Sequence, residues 1–170
     1  QQIRALQFFT AEQQLPIFSF PDWETLPYDI FSPHQDIVSA RLQTLANLPT
    51  AQRGIIVVPL STLMHRIAPV DFVASRTFSY NLGEDLDRVQ LQDQLGRAGY
   101  KRVDTVFEHG EFAFRGSIID IFPMGEKTPF RIDLLDDEIE SLRLFDPETQ
   151  RTKETVGQLM LLPARGFPLD

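Results

Sequence analysis

Glu108-His-Gly-Glu-Phe-Ala-Phe-Arg-Gly-Ser-Ile-Ile-Asp-Ile-Phe-Pro123, with its sequel Phe130-Arg-Ile-Asp-Leu-Leu-Asp-Asp-Glu-Ile-Glu140, is the stretch on which the fold turns. Phe112, Phe114, Ile118 and Phe122 stand at alternate positions, the period of a strand with one face on a core. The reading is one continuous strand whose other face carries Ala113, Arg115, Ser117, Ile119 and Ile121, with Gly116 inviting a bulge. After a turn in Met124 to Thr128, Phe130, Ile132 and Leu134 alternate with Arg131, Asp133 and Leu135 as the return strand. If the turn centres near Gly125 or Glu126, residues of equal parity share a face, which sets Arg115 and Arg131 together with Leu135 beside them. Two guanidinium forks near an exposed leucine suit a protein-binding edge. From pattern alone the stronger reading is two surface arginines paired with Asp133 and Glu111.

Composition bounds the rest. The 170 residues allow one ordinary domain or two small ones, and 42% hydrophobic with 11% aromatic content is enough to bury a core. A net charge of −8 opposes non-specific nucleic-acid binding, which relies on Lys and Arg displacing counterions from phosphates. With no cysteine there is no disulfide framework, in keeping with a reducing compartment. No apolar run approaches the roughly 18 residues of a membrane span and no leader is evident, so the expected location is cytoplasmic. The chain opens at Gln1 in what reads as mid-helix, as an excerpt of a longer protein would.

From the start, the rhythm is α/β. Leu15 to Phe20 is a short buried strand feeding a loop through Trp23, Pro27, Tyr28 and Pro33. Asp36 to Leu48 has helical spacing at Ile37, Arg41, Leu42, Leu45 and Leu48, stopped by Pro49. Gly54 to Val58 is a β-branched run of the parallel-sheet kind, followed by Ser61 as an N-cap and a short helix through Leu63 and Met64. Near residue 77 the character changes to α+β. Thr77 to Tyr80 reads as a strand, Glu84 to Ala98 as a helix with Leu91, Leu95 and Ala98 on one side and Gly99 as its C-cap, and Tyr100 to Phe107 as an irregular strand. The hairpin follows, then a strand over Ser141 to Phe145 and a turn at Asp146-Pro147. The helix is expected to cover one sheet face and leave the other to solvent or a partner. Gln158 to Leu162 is a short apolar strand assigned to the first part's sheet, which makes the second part an insertion.

Chemistry-bearing patterns are weak. Gly125-Glu-Lys-Thr128 resembles a phosphate loop, but Glu126 stands where glycine is needed and would repel a phosphate, so a hairpin turn is the better reading. Leu134 to Glu138 resembles the acidic end of an ATPase strand and reads instead as a solvated turn. His34, His65 and His109 share no zinc-ligand spacing, and no nucleophile elbow is present. No catalytic residue, metal or cofactor is assigned.

Trp23-Glu-Thr-Leu-Pro-Tyr-Asp29, Phe31 to Asp36, His109-Gly-Glu-Phe112, Arg115-Gly116, Phe122-Pro-Met-Gly125, Arg131-Ile-Asp133 and Asp136-Asp-Glu-Ile139 together resemble the N-terminal region of the bacterial transcription-repair coupling factor family (Mfd). The resemblance spans nearly the whole chain. It implies a degenerate RecA-like domain, similar to one in the excision-repair helicase UvrB, built from residues 1–76 and 153–170, with an inserted UvrA-binding domain over 77–152. It implies an adaptor that recruits excision repair to stalled RNA polymerase, the polymerase and DNA being engaged by other domains of a longer, ATP-dependent translocase. On the family's docking face, the arginines of the Arg-Gly and Arg-Ile-Asp words fall on Arg115 and Arg131, and an apolar residue four beyond the second falls on Leu135. Loss of either arginine is expected to weaken UvrA binding without unfolding the domain. UvrB's damage clamp is not carried over, because Trp23 to Asp36 is short and holds only Trp23, Tyr28 and Phe31 as aromatics. The competing readings are an intramolecular regulatory surface covered by another domain, and a nucleotide-handling helicase fragment.

Overall fold

The reversal at Gly116 and Ser117 sets the architecture. In the computed structural model, which describes Ile3, Leu6, Phe8 and residues 15–23 and 34–165, the expected single strand is two: β5 (Glu111–Arg115) and β6 (Ile118–Ile121), joined by a two-residue turn. Gly116 takes φ +59°, left-handed backbone that glycine adopts without the steric cost of a side chain, at the turn position where hairpins use it. The turn shifts the parity of everything after it. Ile119 and Ile121, expected on the polar face, are fully buried beside Phe112, while Phe122 lies on the opposite face in a small cluster with Val106, Ala113 and Phe145.

Around this hairpin stands a six-stranded sheet in the order β4 (Lys101–Arg102), β5, β6, β7 (Phe130–Leu135), β8 (Glu138–Phe145) and β9 (Thr152–Thr155). It is antiparallel except where β4 runs parallel to β5. The strand expected over Tyr100 to Phe107 is thus only two residues long, and β9 was not anticipated. Helix α3 (Arg88–Ala98) buries Leu91, Leu95 and Ala98, one helical face, against Ile119, Ile132 and Leu142 of the sheet. It begins four residues later than expected. Residues 84–86 pair instead with the β7–β8 turn, through Leu86 N–H to Asp137 O at 2.7 Å and Ile139 N–H to Glu84 O at 2.9 Å. Asp87 then caps the helix, accepting from Val89 and Gln90 at 2.8 and 3.0 Å, and Gly99 ends it at φ +93°.

The first part is a parallel pair, β1 (Ile17–Ser19) with β2 (Ile55–Val57), connected through α1 (Gln35–Asn47). The α1 hydroxyl of Thr44 donates to Ser19 O at 2.6 Å, and Arg41 donates to Pro21 O at 2.7 Å while stacked between the Phe20 and Trp23 rings. Ser61 does not cap the turn of 3₁₀ helix at Thr62–Met64; its hydroxyl donates to Asp22 Oδ2 at 2.6 Å. A short unanticipated helix, α2 (Val70–Ala74), follows. Pro27, Tyr28 and Pro33 of the expected loop lie outside the described residues.

The home of β10 (Gln158–Leu161) differs from expectation. It pairs antiparallel with β3 (Phe78–Asn81) rather than with β1 or β2, because Leu159 and Leu161 alternate into the core that holds Leu91 and Leu95, and Tyr80 and Phe78 are their partners. The chain is therefore mixed α/β, with parallel and antiparallel sheets and few helices.

One core joins these pieces, reaching from Val38 and Leu42 of α1 to Leu159 and Leu161 of β10. Tyr100 is the polar pin through it: its hydroxyl donates to Leu162 O at 2.7 Å and accepts from Met124 N–H at 3.2 Å, and burial pushes its pKa well above the ordinary phenol value. Tyr100→Phe orphans a buried donor and a buried acceptor. It is expected to lower unfolding free energy by about 1–3 kcal/mol, read as a fall in the urea midpoint with an unchanged slope.

Candidate functional site

The sheet face turned away from α3 carries a row of charges. Cross-strand pairing runs Ala113, Asp120, Arg131, Arg143 in one row and Arg115, Ile118, Asp133, Ser141 in the next. Arg115 and Arg131 therefore do share a face, since parity flips once between β5 and β6 and again between β6 and β7. What joins them is Asp120, which sequence reasoning overlooked.

Asp120 sits between Ile119 and Ile121, and its side chain is 1% exposed. A carboxylate that deep is tolerated only when paired and hydrogen-bonded. Arg131 grips it with two bonds, Nε to Oδ1 at 2.7 Å and Nη2 to Oδ2 at 2.9 Å, and Arg115 Nη2 also bonds to Oδ2. Arg131 is fixed from its other side by Nη1 donating to Gln150 O at 3.1 Å and by stacking over the Phe145 ring. Its hydrogen bonds to Asp120 hold its pKa above the usual arginine value.

Exposure separates the two arginines. The Arg131 side chain is 14% exposed and the Arg115 side chain 46%. Arg115 stands at the end of β5, and Leu135, 63% exposed, stands at the end of β7. The β5–β6 turn meets the end of β7 where Leu134 N–H donates to Ser117 O at 3.1 Å, beside the Asp136–Asp137 turn with Asp136 at φ +56°. A third arginine was missed. Arg143, also accessible, is paired with Asp133, whose other bond is from the Ser141 hydroxyl at 2.9 Å. Arg115, Arg131 and Arg143 share this face with Asp120 and Asp133, and Glu138, directly across from Leu135, adds a carboxylate at its tip. Its chemistry suits carboxylates, with Leu135 as an apolar contact. The signals available in the sequence were an aspartate inside an isoleucine run and an arginine between Leu142 and Leu144.

The other singled-out residues lie elsewhere. Gly125 to Thr128 falls in the β6–β7 connection, where Gly125 N–H donates to Ser39 Oγ at 2.8 Å and Gly125 O accepts from Gln43 at 2.7 Å. His109 lies between Asp36 Oδ1 and Glu126 O, each at 2.7 Å, on the Phe122 ring. It borders a cleft of about 520 Å³ shared with His34, Glu108 and Lys127. Among the described residues, no group of three His, Cys, Asp or Glu side chains is placed to hold a metal ion, and no helix is long and apolar enough to cross a membrane.

The UvrB interaction domain family matches residues 78–167. The chain is similar to the transcription-repair-coupling factor of Escherichia coli, 53% identical over 154 residues, and to that of Haemophilus influenzae, 50% over 151. The Staphylococcus aureus protein of the same name is 37% identical over 163 residues. These matches cover 91%, 89% and 95% of this chain but only 13–14% of each relative.

The burial of Arg131 separates the two arginines in what their loss costs the fold. Arg131→Ala leaves Asp120 buried with one half-exposed partner and is expected to cost about 3 kcal/mol of stability. Arg115→Ala, at a half-exposed pair, is expected to cost less than about 1 kcal/mol. Chemical denaturation of the two variants side by side checks the difference.

Proposed function

This chain belongs to the UvrB interaction domain family, and on that premise we propose that it is the UvrA-docking adaptor of a transcription-repair coupling factor. The observation that carries the reading is a half-exposed Arg115 and an exposed Leu135 on the one sheet face that α3 leaves uncovered. Arg115 and Arg143 offer forks to acidic side chains of UvrA, and Leu135 contributes apolar area. Arg131 belongs to the same site chiefly as the group beneath them. Acidic partners and apolar anchors are what such a surface recognises with useful specificity.

In the same reading, the region itself is non-catalytic and works in the cytoplasm. It recruits excision repair to stalled RNA polymerase, while other domains of a longer translocase engage polymerase and DNA. The parallel pair around α1 is the remnant of a degenerate RecA-like domain over 1–76 and 153–170, and residues 77–152 are the inserted module. The β10–β3 pairing ties the returning segment 153–170 to the beginning of that module. Because the chain spans only 13–14% of its relatives' length, another domain could cover the same face before UvrA arrives.

Calorimetric titration of UvrA into this chain tests the proposal. Arg115→Ala, with folding verified by circular dichroism, is expected to weaken binding on the order of thirtyfold, the cost of truncating a central interface arginine. Failure of the folded, unaltered chain to bind UvrA would refute the reading.

A further inference from the structure

We infer that Asp120 is a positioning residue for the docking face: it holds Arg115 in a binding-ready geometry and does not itself touch the partner. The inference rests on the UvrA-docking reading above. Three charge-assisted bonds converge on this one carboxylate, two from Arg131 and one from Arg115. The chain of support runs from the Gln150 carbonyl and the Phe145 ring to Arg131, from Arg131 to Asp120, and from Asp120 to Arg115. Every link up to Asp120 is buried or nearly so. Only Arg115 reaches solvent, and it spends one Nη2 hydrogen on Asp120, leaving its remaining N–H groups for an incoming carboxylate. The small Ala113, directly across from Asp120 in β5 and itself buried, adds no competing donor from its side chain.

Two opposite consequences distinguish positioning from mere charge. Holding a long side chain in its bound rotamer before the encounter removes an ordering cost worth about two- to tenfold in affinity. A carboxylate beside the arginines also subtracts from the positive field that attracts an acidic partner. If position dominates, neutralising Asp120 weakens binding although the face becomes more cationic. If charge dominates, the same change tightens it.

The deciding experiment is calorimetry of UvrA against four versions of this chain: unaltered, Asp120→Asn, Arg115→Ala, and the double variant, each confirmed folded by its melting curve. Asp120→Asn is expected to bind about five- to tenfold more weakly, and to cost nothing further once Arg115 is alanine, because its effect passes through Arg115. Equal or tighter binding by Asp120→Asn overturns the inference, as does a loss that simply adds to that of Arg115→Ala, while UvrA binding by the unaltered chain keeps the docking reading intact. No binding by the unaltered chain removes both. Should Asp120→Asn not fold, the guanidinium ¹⁵N resonances of Arg115 in the unaltered chain answer the question. Slowed rotation of the Nη groups supports positioning, and free rotation overturns it.

Discussion

Gly116 reverses the chain within two residues, and the register that follows distributes every later side chain between core and surface. With β5 and β6 paired as Arg115 to Ile118, Ile119 and Ile121 go inward to meet α3, and Asp120 goes to the arginine face. A slip of one residue would send the isoleucines to solvent and bury Asp120 in the core without a cation, so the pairing is fixed by both faces at once. The β7 and β8 registers inherit this choice, and a bulge at Glu140 of β8 sets Ile139 across from Leu134, so both stay buried while Leu135 emerges at the tip.

The polar face is graded rather than uniform. Toward the Phe122 and Phe145 cluster it is dry and Arg131 is locked; toward the Gly116 and Asp136 turns it is open. A buried ion pair contributes little to net stability after desolvation, yet removing one member is costly. Such a pair serves better as a foundation than as a contact. Arg131 and Asp120 have that character, and the groups able to meet a partner are those standing on them. This division separates surface pairing, which engages Arg131, from groups still open to a partner. The arginines are paired, though with Asp120 rather than Glu111, and only Arg131 has spent most of its capacity on it.

Much of this was legible in the residues. Alternation located β5, β7 and β8, helical spacing located α1 and α3, and Gly99 marked the end of α3. The turn at Gly116 was hidden because Phe112, Phe114 and Ile118 keep an unbroken period across it, so a reversal and a continuation look alike. Arg115 and Arg131 were nonetheless placed together, since two parity changes cancel. Asp120 was invisible for the same reason: under a continuous strand it faces the wrong way. The polar strand β9, Thr152 to Thr155, has no apolar residue to betray it, and the partner of β10 depended on which core had room for Leu159 and Leu161. Those are decisions of tertiary packing, which local pattern does not encode.

The pairing of β10 with β3 has a mechanical consequence. Phe78 lies directly across from Leu161, so the two ends of the segment between them sit side by side. Tension transmitted through the flanking chain would first meet the Tyr100–Leu162 and Ala164–Ala98 bonds and then open this ladder from that end, one pair after another, instead of loading its hydrogen bonds together in shear. The six-stranded sheet and its arginine face lie beyond the point of first rupture. A pull from either side would therefore loosen this end of the ladder before it disturbed the arginine face.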